Sequence, residues 1–268
     1  MSDPRHRVRP AAVAGAFYPA DAGMLREELA RSIAGAVVRP ADAPVPKAII
    51  VPHAGYVYSG PIAASAYLRV APAAGRIRRV VLLGPSHRVA LRGIGVSNAD
   101  AFATPLGLVR IDAEGRDRVL SAPEVTVDDA AHEFEHSLEV QLPFLQTVLD
   151  HFTLVPLVVG DATADLVATA LDLCWGGPET LIVVSTDLSH YHRYVDAVGL
   201  DARTAAAIVA RRAAEIGDRD ACGARPLRGL LRAAEEHGLT VEQLDLRNSG
   251  DTAGDRGRVV GYGAFALV

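Results

Sequence analysis

The sequence predicts a single α/β domain with a central mixed, mostly parallel sheet and helices on both faces. Three observations carry this. Short apolar runs of strand length alternate with helical patterns. Hydrophobic residues make up 50% of the 268 positions, enough for a sizeable core. No second shift in composition marks a boundary, so residues 1–268 read as one domain with residues 1–7 as a flexible N-terminus.

Residues 22–37 read as an N-terminal helix. The breaker segment Pro40–Pro46, with three prolines, links it to the first core strand, Lys47–Pro52. Pro61–Val70 follows as a helix with proline in its first turn. Arg79–Gly84 is the second strand and Gly93–Ser97 a third. Ser137–Asp150 reads as a helix with Leu138, Leu142, Leu145 and Leu149 on one face and Ser137 as its N-cap. Thr153–Gly160 is a strand, Ala164–Leu173 a helix and Thr180–Ser185 a strand. Asp196–Ala214 and Cys222–His237 read as helices, and strands near 240–247 and 258–266 close the chain.

The formal charge of −5, from 27 Lys+Arg against 32 Asp+Glu, and the lack of a long basic run argue against nucleic acid as a partner. The start of the chain has no apolar core of a signal peptide. There is no run of about 18 apolar residues that could span a membrane. Two cysteines, Cys174 and Cys222, do not make a disulfide framework. These features fit a cytoplasmic protein with no membrane contact. No GxGxxG or P-loop supports nucleotide binding.

In open α/β sheets, ligands bind beyond the carboxyl ends of strands. Three strand ends here deliver histidine: His53 after the first, His87 after the second, and Asp187, His190 and His192 after Thr180–Ser185. A lone strand-end histidine can equally cap a turn; the set points to a site. His53 and His87 are the best metal-ligand pair, since two imidazoles and an anion make a first-row metal site. The third ligand is open between Asp187, Glu139 and Cys222. Cys222 lies at the expected start of a helix, which would lower its thiol pKa. Asp187 and His190 suit acid–base chemistry, the carboxylate orienting the imidazole. His136 and Glu139 share one helical face and are candidates to line the crevice. Tyr56 and Tyr58 could wall it or simply pack. His132 reads as solvated, Glu133 and Glu135 as favouring a helix start, and His6, His151, His192 and His237 as surface residues. Cys174 reads as buried and inert.

Several motifs together resemble the Memo-like family. They are Val13-Ala14-Gly15-Ala16-Phe17-Tyr18-Pro19, Pro52-His53-Ala54-Gly55-Tyr56-Val57-Tyr58-Ser59-Gly60 and Leu83-Gly84-Pro85-Ser86-His87. His136-Ser137-Leu138-Glu139-Val140-Gln141-Leu142-Pro143-Phe144 and Ser185-Thr186-Asp187-Leu188-Ser189-His190 follow, then Cys222-Gly223, Ser249-Gly250-Asp251 and Val260-Gly261-Tyr262. The resemblance implies the fold of class III (LigB-type) extradiol dioxygenases and a metal site of His53, His87 and Cys222, with Asp187 and His190 beside it as catalytic groups. It implies Fe(II) or copper in preference to zinc, and partners of the AMMECR and radical SAM types in the AmmeMemoRadiSam set. The animal relative is a motility and redox-signalling protein that binds copper and iron. The dioxygenases carry a carboxylate where Cys222 stands, and a thiolate is a softer ligand. The leading expectation is therefore a metal-binding redox protein. The alternatives are an extradiol-type dioxygenase acting on a catechol-like diol, a module binding a small molecule or peptide without catalysis, and a cysteine hydrolase using Cys222 and His190.

Overall fold

The computed structural model describes residues 7–38 and 43–268. The expected flexible stretch up to residue 6, with His6, and the first part of the proline-rich linker lie outside the described residues.

In chain order the strands are β1 (Val8–Arg9), β2 (Ala48–Val51), β3 (Arg79–Pro85), β4 (Ile94–Val96), β5 (Ala101–Thr104), β6 (Gly107–Arg110), β7 (Val125–Val127), β8 (Thr153–Val159), β9 (Thr180–Ser185), β10 (His190–His192), β11 (Val241–Asn248) and β12 (Val259–Leu267). The α-helices are α1 (Ala22–Ala34), α2 (Tyr56–Val70), α3 (Ala113–Val119), α4 (Asp129–Glu133), α5 (Leu142–Val148), α6 (Ala164–Leu173), α7 (Tyr194–Val209) and α8 (Ala224–Glu236).

The large sheet runs β10-β12-β2-β9-β3-β8-β4-β7, with β11 also paired to β12. Its four central strands, β2, β9, β3 and β8, are mutually parallel, and antiparallel pairing enters at the flanks through β12 and β4. The central strands are apolar at nearly every position because both faces are covered. Ile49 and Val51 of β2, Val80 and Leu82 of β3 and Val183 of β9 point to one face, under α1, α2 and α5. Ile50, Val81, Leu83, Ile182 and Val184 point to the other, under α6, α7 and α8. Each such side chain, fully buried, contributes about 1.5–3 kcal/mol of transfer free energy. At Gly229 the helices α6 and α8 come so close that an added Cβ would lie 2.3 Å from the Val167 side chain.

The expected helix and strand positions hold for α1, α6 and the central strands, with shifts elsewhere. Helix α2 starts at Tyr56, after Gly55, so Pro61 lies inside it; the carbonyl it leaves without a helical donor is that of exposed Val57. The expected helix 137–150 is a 3₁₀ turn, Glu139–Gln141, followed by the short α5 with Pro143 in its first turn. Ser137 is not its N-cap; its hydroxyl donates to the Pro85 carbonyl. Residues 98–128, unassigned from sequence, add β5, β6, α3 and β7. The small sheet β1-β5-β6 anchors the N-terminal segment. No helix among the described residues is long and apolar enough to cross a membrane.

Candidate metal centre

Parallel pairing puts the carboxyl ends of β2, β9 and β3 side by side. His53 follows β2, Ser185 ends β9 with Asp187 just beyond it, and His87 follows β3. The segment between α4 and α5 crosses over these ends and brings Glu135, His136 and Ser137. Gly84 permits that crossing, since a Cβ there would lie 2.7 Å from Ser137 Oγ. Cys222 arrives on the turn before α8. Gly223 permits this in the same way, where a Cβ would lie 2.7 Å from the Thr186 Cβ.

One donor atom each from His53, His87 and His136 converges within 4.8 Å. The His53 and His87 rings lie 5.2 Å apart, His53 and His136 5.4 Å, and His87 stacks on His136 at 4.7 Å. Cys222 Sγ lies 3.1 Å from His53 Nε2. The sequence-predicted His53, His87 and Cys222 thus lie in one place, joined by His136, which was expected only to line the crevice.

The hydrogen bonds fix which ring nitrogens carry protons. The Ser185 hydroxyl gives its single hydrogen to the Ser137 carbonyl (2.6 Å) and accepts from Gln141 Nε2 (2.8 Å). It can therefore only accept from His53 Nδ1 at 2.9 Å, so Nδ1 holds the proton and Nε2 keeps its lone pair. Gln141 is itself oriented: its amide NH₂ also donates to the Pro52 carbonyl, and its oxygen accepts from Tyr67. His87 Nδ1–H donates to Glu135 Oε1 at 2.9 Å, which leaves its Nε2 free. Glu135 also accepts the backbone N–H groups of His87 (2.6 Å) and Ser137 (2.9 Å). Carboxylate–imidazole pairs of this kind fix the tautomer and raise ligand basicity.

Electrostatics agree with this. Burial, then the neighbouring imidazoles, keep His53 well below the usual histidine range. Burial takes His136 down to about 4. Both rings are therefore neutral near pH 7, the form that binds metal. Burial works against charge on Glu135, but its hydrogen bonds from His87 and Ser137 hold its pKa at about 2. The buried Nδ1 of His136 has no hydrogen-bond partner. That nitrogen lies 3.4 Å from Glu135 Oε1, and with the Nε2 lone pairs of His87 and of His53, the latter facing the Cys222 thiol, it makes a donor set that fits a site made to take an ion.

Burial, partly offset by the backbone N–H groups of His53 and Ala54, pushes Asp187 up to about 7. Its Oδ1 accepts the His53 N–H at 2.7 Å, and no hydrogen bond joins it to the His190 ring among the described residues. Burial lowers His190. The expected lowering of the Cys222 thiol does not occur. Burial, reinforced by Asp187, pushes it up to about 12, the half-buried thiol lying at the cavity wall ahead of the helix start at Ala224.

The cluster opens into a cavity of about 1190 Å³ that includes Asp187, His190, Tyr58 and Phe17 on its wall. Arg88, Arg219 and Arg258 also face it. Tyr56 does not: it is buried, its hydroxyl donating to the Val140 carbonyl. Nor does Glu139, which is fully buried and accepts from Arg9, the Ala12 and Val13 N–H groups and Tyr18. It anchors the N-terminal segment, whose Phe17 ring packs 4.7 Å from His136. His132 is buried, contrary to expectation, with Nε2 donating to the Gly95 carbonyl. His192 is exposed at the cavity wall, and His237 stacks on Trp175 outside the site. Cys174 is buried, as expected. Glu135, read from sequence only as a helix-start residue, is one that sequence reasoning missed, as are Ser185 and Gln141, which orient His53. The signal for Glu135 was a carboxylate directly before His136 in a segment that follows no helical period.

The profile of the Memo-like protein family matches residues 9–266. A MEMO1 family protein of Aquifex aeolicus is 38% identical over 267 residues, covering 96% of this chain and 97% of that protein. One from Ignicoccus hospitalis is 36% identical over 282 residues, with 96% and 97% covered. Among solved structures, an uncharacterized protein from Escherichia coli K12 is similar in fold, with a TM-score of 0.55 and 16% identity. That match covers 82% of this chain and 98% of the other.

Proposed function

The chain belongs to the Memo-like protein family, and we propose that it is a metal-binding protein holding one iron(II) or copper ion on His53, His87 and His136, with Cys222 as an adjoining donor. The convergence of three imidazole donors within 4.8 Å carries this reading. Imidazoles beside a thiol suit iron and copper, while an all-oxygen site would suit magnesium or calcium. A bound ion would supply Lewis acidity and a redox couple at the floor of the cavity.

The chain's own residues define what happens around it. Ser185 and Glu135 hold the proton on Nδ1 of His53 and His87, so Nε2 of each presents a lone pair. Asp187, with a pKa near 7, can hold or release a proton at the cavity wall, and His190, neutral through burial, can accept one. Arg88, Arg219 and Arg258 share the wall with Asp218 and Asp255, so the cavity offers charged groups of both signs to a polar ligand. The open cavity and these proton-handling groups also support a second reading, an extradiol-type dioxygenase acting on a catechol-like diol.

Elemental mass spectrometry of anaerobically purified protein tests the first reading, with His53→Ala, His136→Ala and Cys222→Ser beside the parent. Near one equivalent of iron or copper is expected in the parent and none in His53→Ala. Loss in His136→Ala with retention in Cys222→Ser would assign the third ligand to His136; the reverse would assign it to Cys222. Unchanged metal in His53→Ala overturns the site. Oxygen uptake with an aromatic diol, lost in His190→Ala, would decide for the second reading.

A further inference from the structure

A second groove, of about 830 Å³, lies at the opposite end of the sheet. It includes Arg78 and Thr153, at the amino ends of β3 and β8, whereas the metal centre sits at the carboxyl ends. Leu108, Val109 and Arg110 are consecutive residues of β6, and all three line the groove. Neighbours in a strand point to opposite faces, so a groove touching all three runs along the strand's edge. That edge is open. Strand β6 is the last of the β1-β5-β6 sheet and, among the described residues, pairs as a strand only with β5; at its start the Gly107 carbonyl accepts from Gln146 Nε2, and the chain reaches β8 one residue after its end, at Ile111.

The charged side chains lining this groove are three arginines, Arg26, Arg78 and Arg110, against one carboxylate, Asp150. Arg26, Arg78 and Arg110 all face the groove, and none has an ion-pair partner among the described residues. Three guanidiniums on one groove with no ion pair among the described residues stand out on a chain whose net charge is −5. Between them lie Leu106, Phe152 and Leu108, the last 61% exposed. Short charged edges discourage pairing with strands in general. An edge of net positive charge instead selects a strand of negative charge.

We propose that this groove docks an extended acidic segment of a partner protein, which adds to β6 as a further strand. Its backbone would pair with the β6 edge. Its carboxylates would meet Arg26, Arg78 and Arg110, and its alternate apolar side chains would cover Leu108 and Phe152. This surface is independent of the metal reading and requires no metal.

The probe is a fluorescein-labelled peptide, Asp-Val-Glu-Val-Asp-Val, titrated with the full chain and followed by anisotropy. Three controls accompany it: a Lys-Val repeat, the acidic peptide N-methylated at alternate residues, and a single-stranded oligonucleotide. Saturable binding of the acidic peptide is expected, weakened about tenfold or more by Arg78→Glu or Arg110→Glu. Methylation should abolish it, and amides of residues 107–110 should gain protection from hydrogen exchange when the peptide binds. Hydrogen exchange on the unmutated chain keeps the test valid if a variant folds poorly. No saturation up to about 1 mM peptide overturns the proposal. Equal binding of the methylated peptide overturns strand addition, and tighter binding of the oligonucleotide or the lysine peptide overturns the acidic partner. Self-association of the chain that Arg110→Glu abolishes would assign the groove to a second copy instead.

Discussion

Glu135→Gln tests the reasoning about the metal centre most directly. Glu135 receives three hydrogen bonds on its two oxygens. Oε1 takes His87 Nδ1–H and the Ser137 N–H; Oε2 takes the His87 N–H. Glutamine has a single acceptor oxygen. If that oxygen replaces Oε1, its NH₂ faces the His87 N–H, donor against donor, at a site where the present distance is 2.6 Å. If it replaces Oε2, the NH₂ faces both His87 Nδ1 and the Ser137 N–H. The imidazole can accept that bond only by moving its proton to Nε2, the nitrogen a metal needs. The first arrangement keeps two bonds of three and is favoured. It loses one charge-assisted bond and the carboxylate's field, which gives roughly 1.5–3 kcal/mol of lost stability. Metal affinity should fall about 10- to 100-fold, the usual effect of removing such a partner from a ligating histidine.

Competition against a chromogenic chelator reads the affinity, urea denaturation reads the stability, and long-range ¹⁵N NMR of the histidine rings reads the tautomer directly. Glu135→Asp, which keeps the charge on a shorter stem, should recover part of the affinity. Unchanged affinity in Glu135→Gln, with His87 still protonated on Nδ1, would show that the carboxylate does not set the ligand, and the tautomer argument would fall.

Two further expectations concern the support of the site. Glu139→Ala leaves buried Arg9 without its carboxylate and strands the Ala12 and Val13 N–H groups; a loss of about 3–5 kcal/mol is expected by urea denaturation. A loss below about 1 kcal/mol would mean that water replaces the carboxylate. His132 is held neutral, its pKa lowered by burial to about 4. A base with a depressed folded pKa contributes stability that is complete above its unfolded value of 6.5 and lost as pH falls through 4. That amounts to roughly 3 kcal/mol. Denaturation curves at pH 7 and pH 4 should show a smaller drop in His132→Gln than in the parent, and an equal drop would place the acid sensitivity elsewhere.

The sheet and its histidines were legible in the sequence because their signals are local. Apolar runs such as Val80–Leu83 announce buried strands, and a histidine just past such a run sits where ligands bind in this class of fold. Other features depend on contacts that no period reports. Glu135 meets His87 across 48 residues of sequence, and Glu139 meets Arg9 across 130. Read as helix, residues 137–150 seemed to place His136 and Glu139 on one face. Pro143 confines the α-helix to its short final part, and the two side chains go separate ways, one into the cavity and one into the core. The thiol of Cys222 misled for a related reason. Proximity to a helix start is visible in sequence, but partial burial beside the Asp187 carboxylate is not, and here it wins.

A chain of hydrogen bonds ties the metal centre to the packed interior. Tyr67 stacks on Phe144 at 5.0 Å and donates to Gln141 Oε1. That bond decides which end of the amide faces Ser185. The amide NH₂ then holds Ser185 as an acceptor, and the Ser137 carbonyl takes its hydrogen. The only bond left for Ser185 toward His53 is one it accepts. The lone pair on His53 Nε2 is thus set three side chains away, at Tyr67, in a core whose members are almost wholly buried. His87 depends on a single ionised carboxylate instead. The two ligands are prepared by different means, one by an oriented neutral network and one by charge, and the two meet at Ser137, whose N–H donates to Glu135 and whose carbonyl accepts from Ser185. A change at Ser137 should therefore disturb both ligands, whereas a change at Tyr67 reaches His53 alone through Gln141 and Ser185.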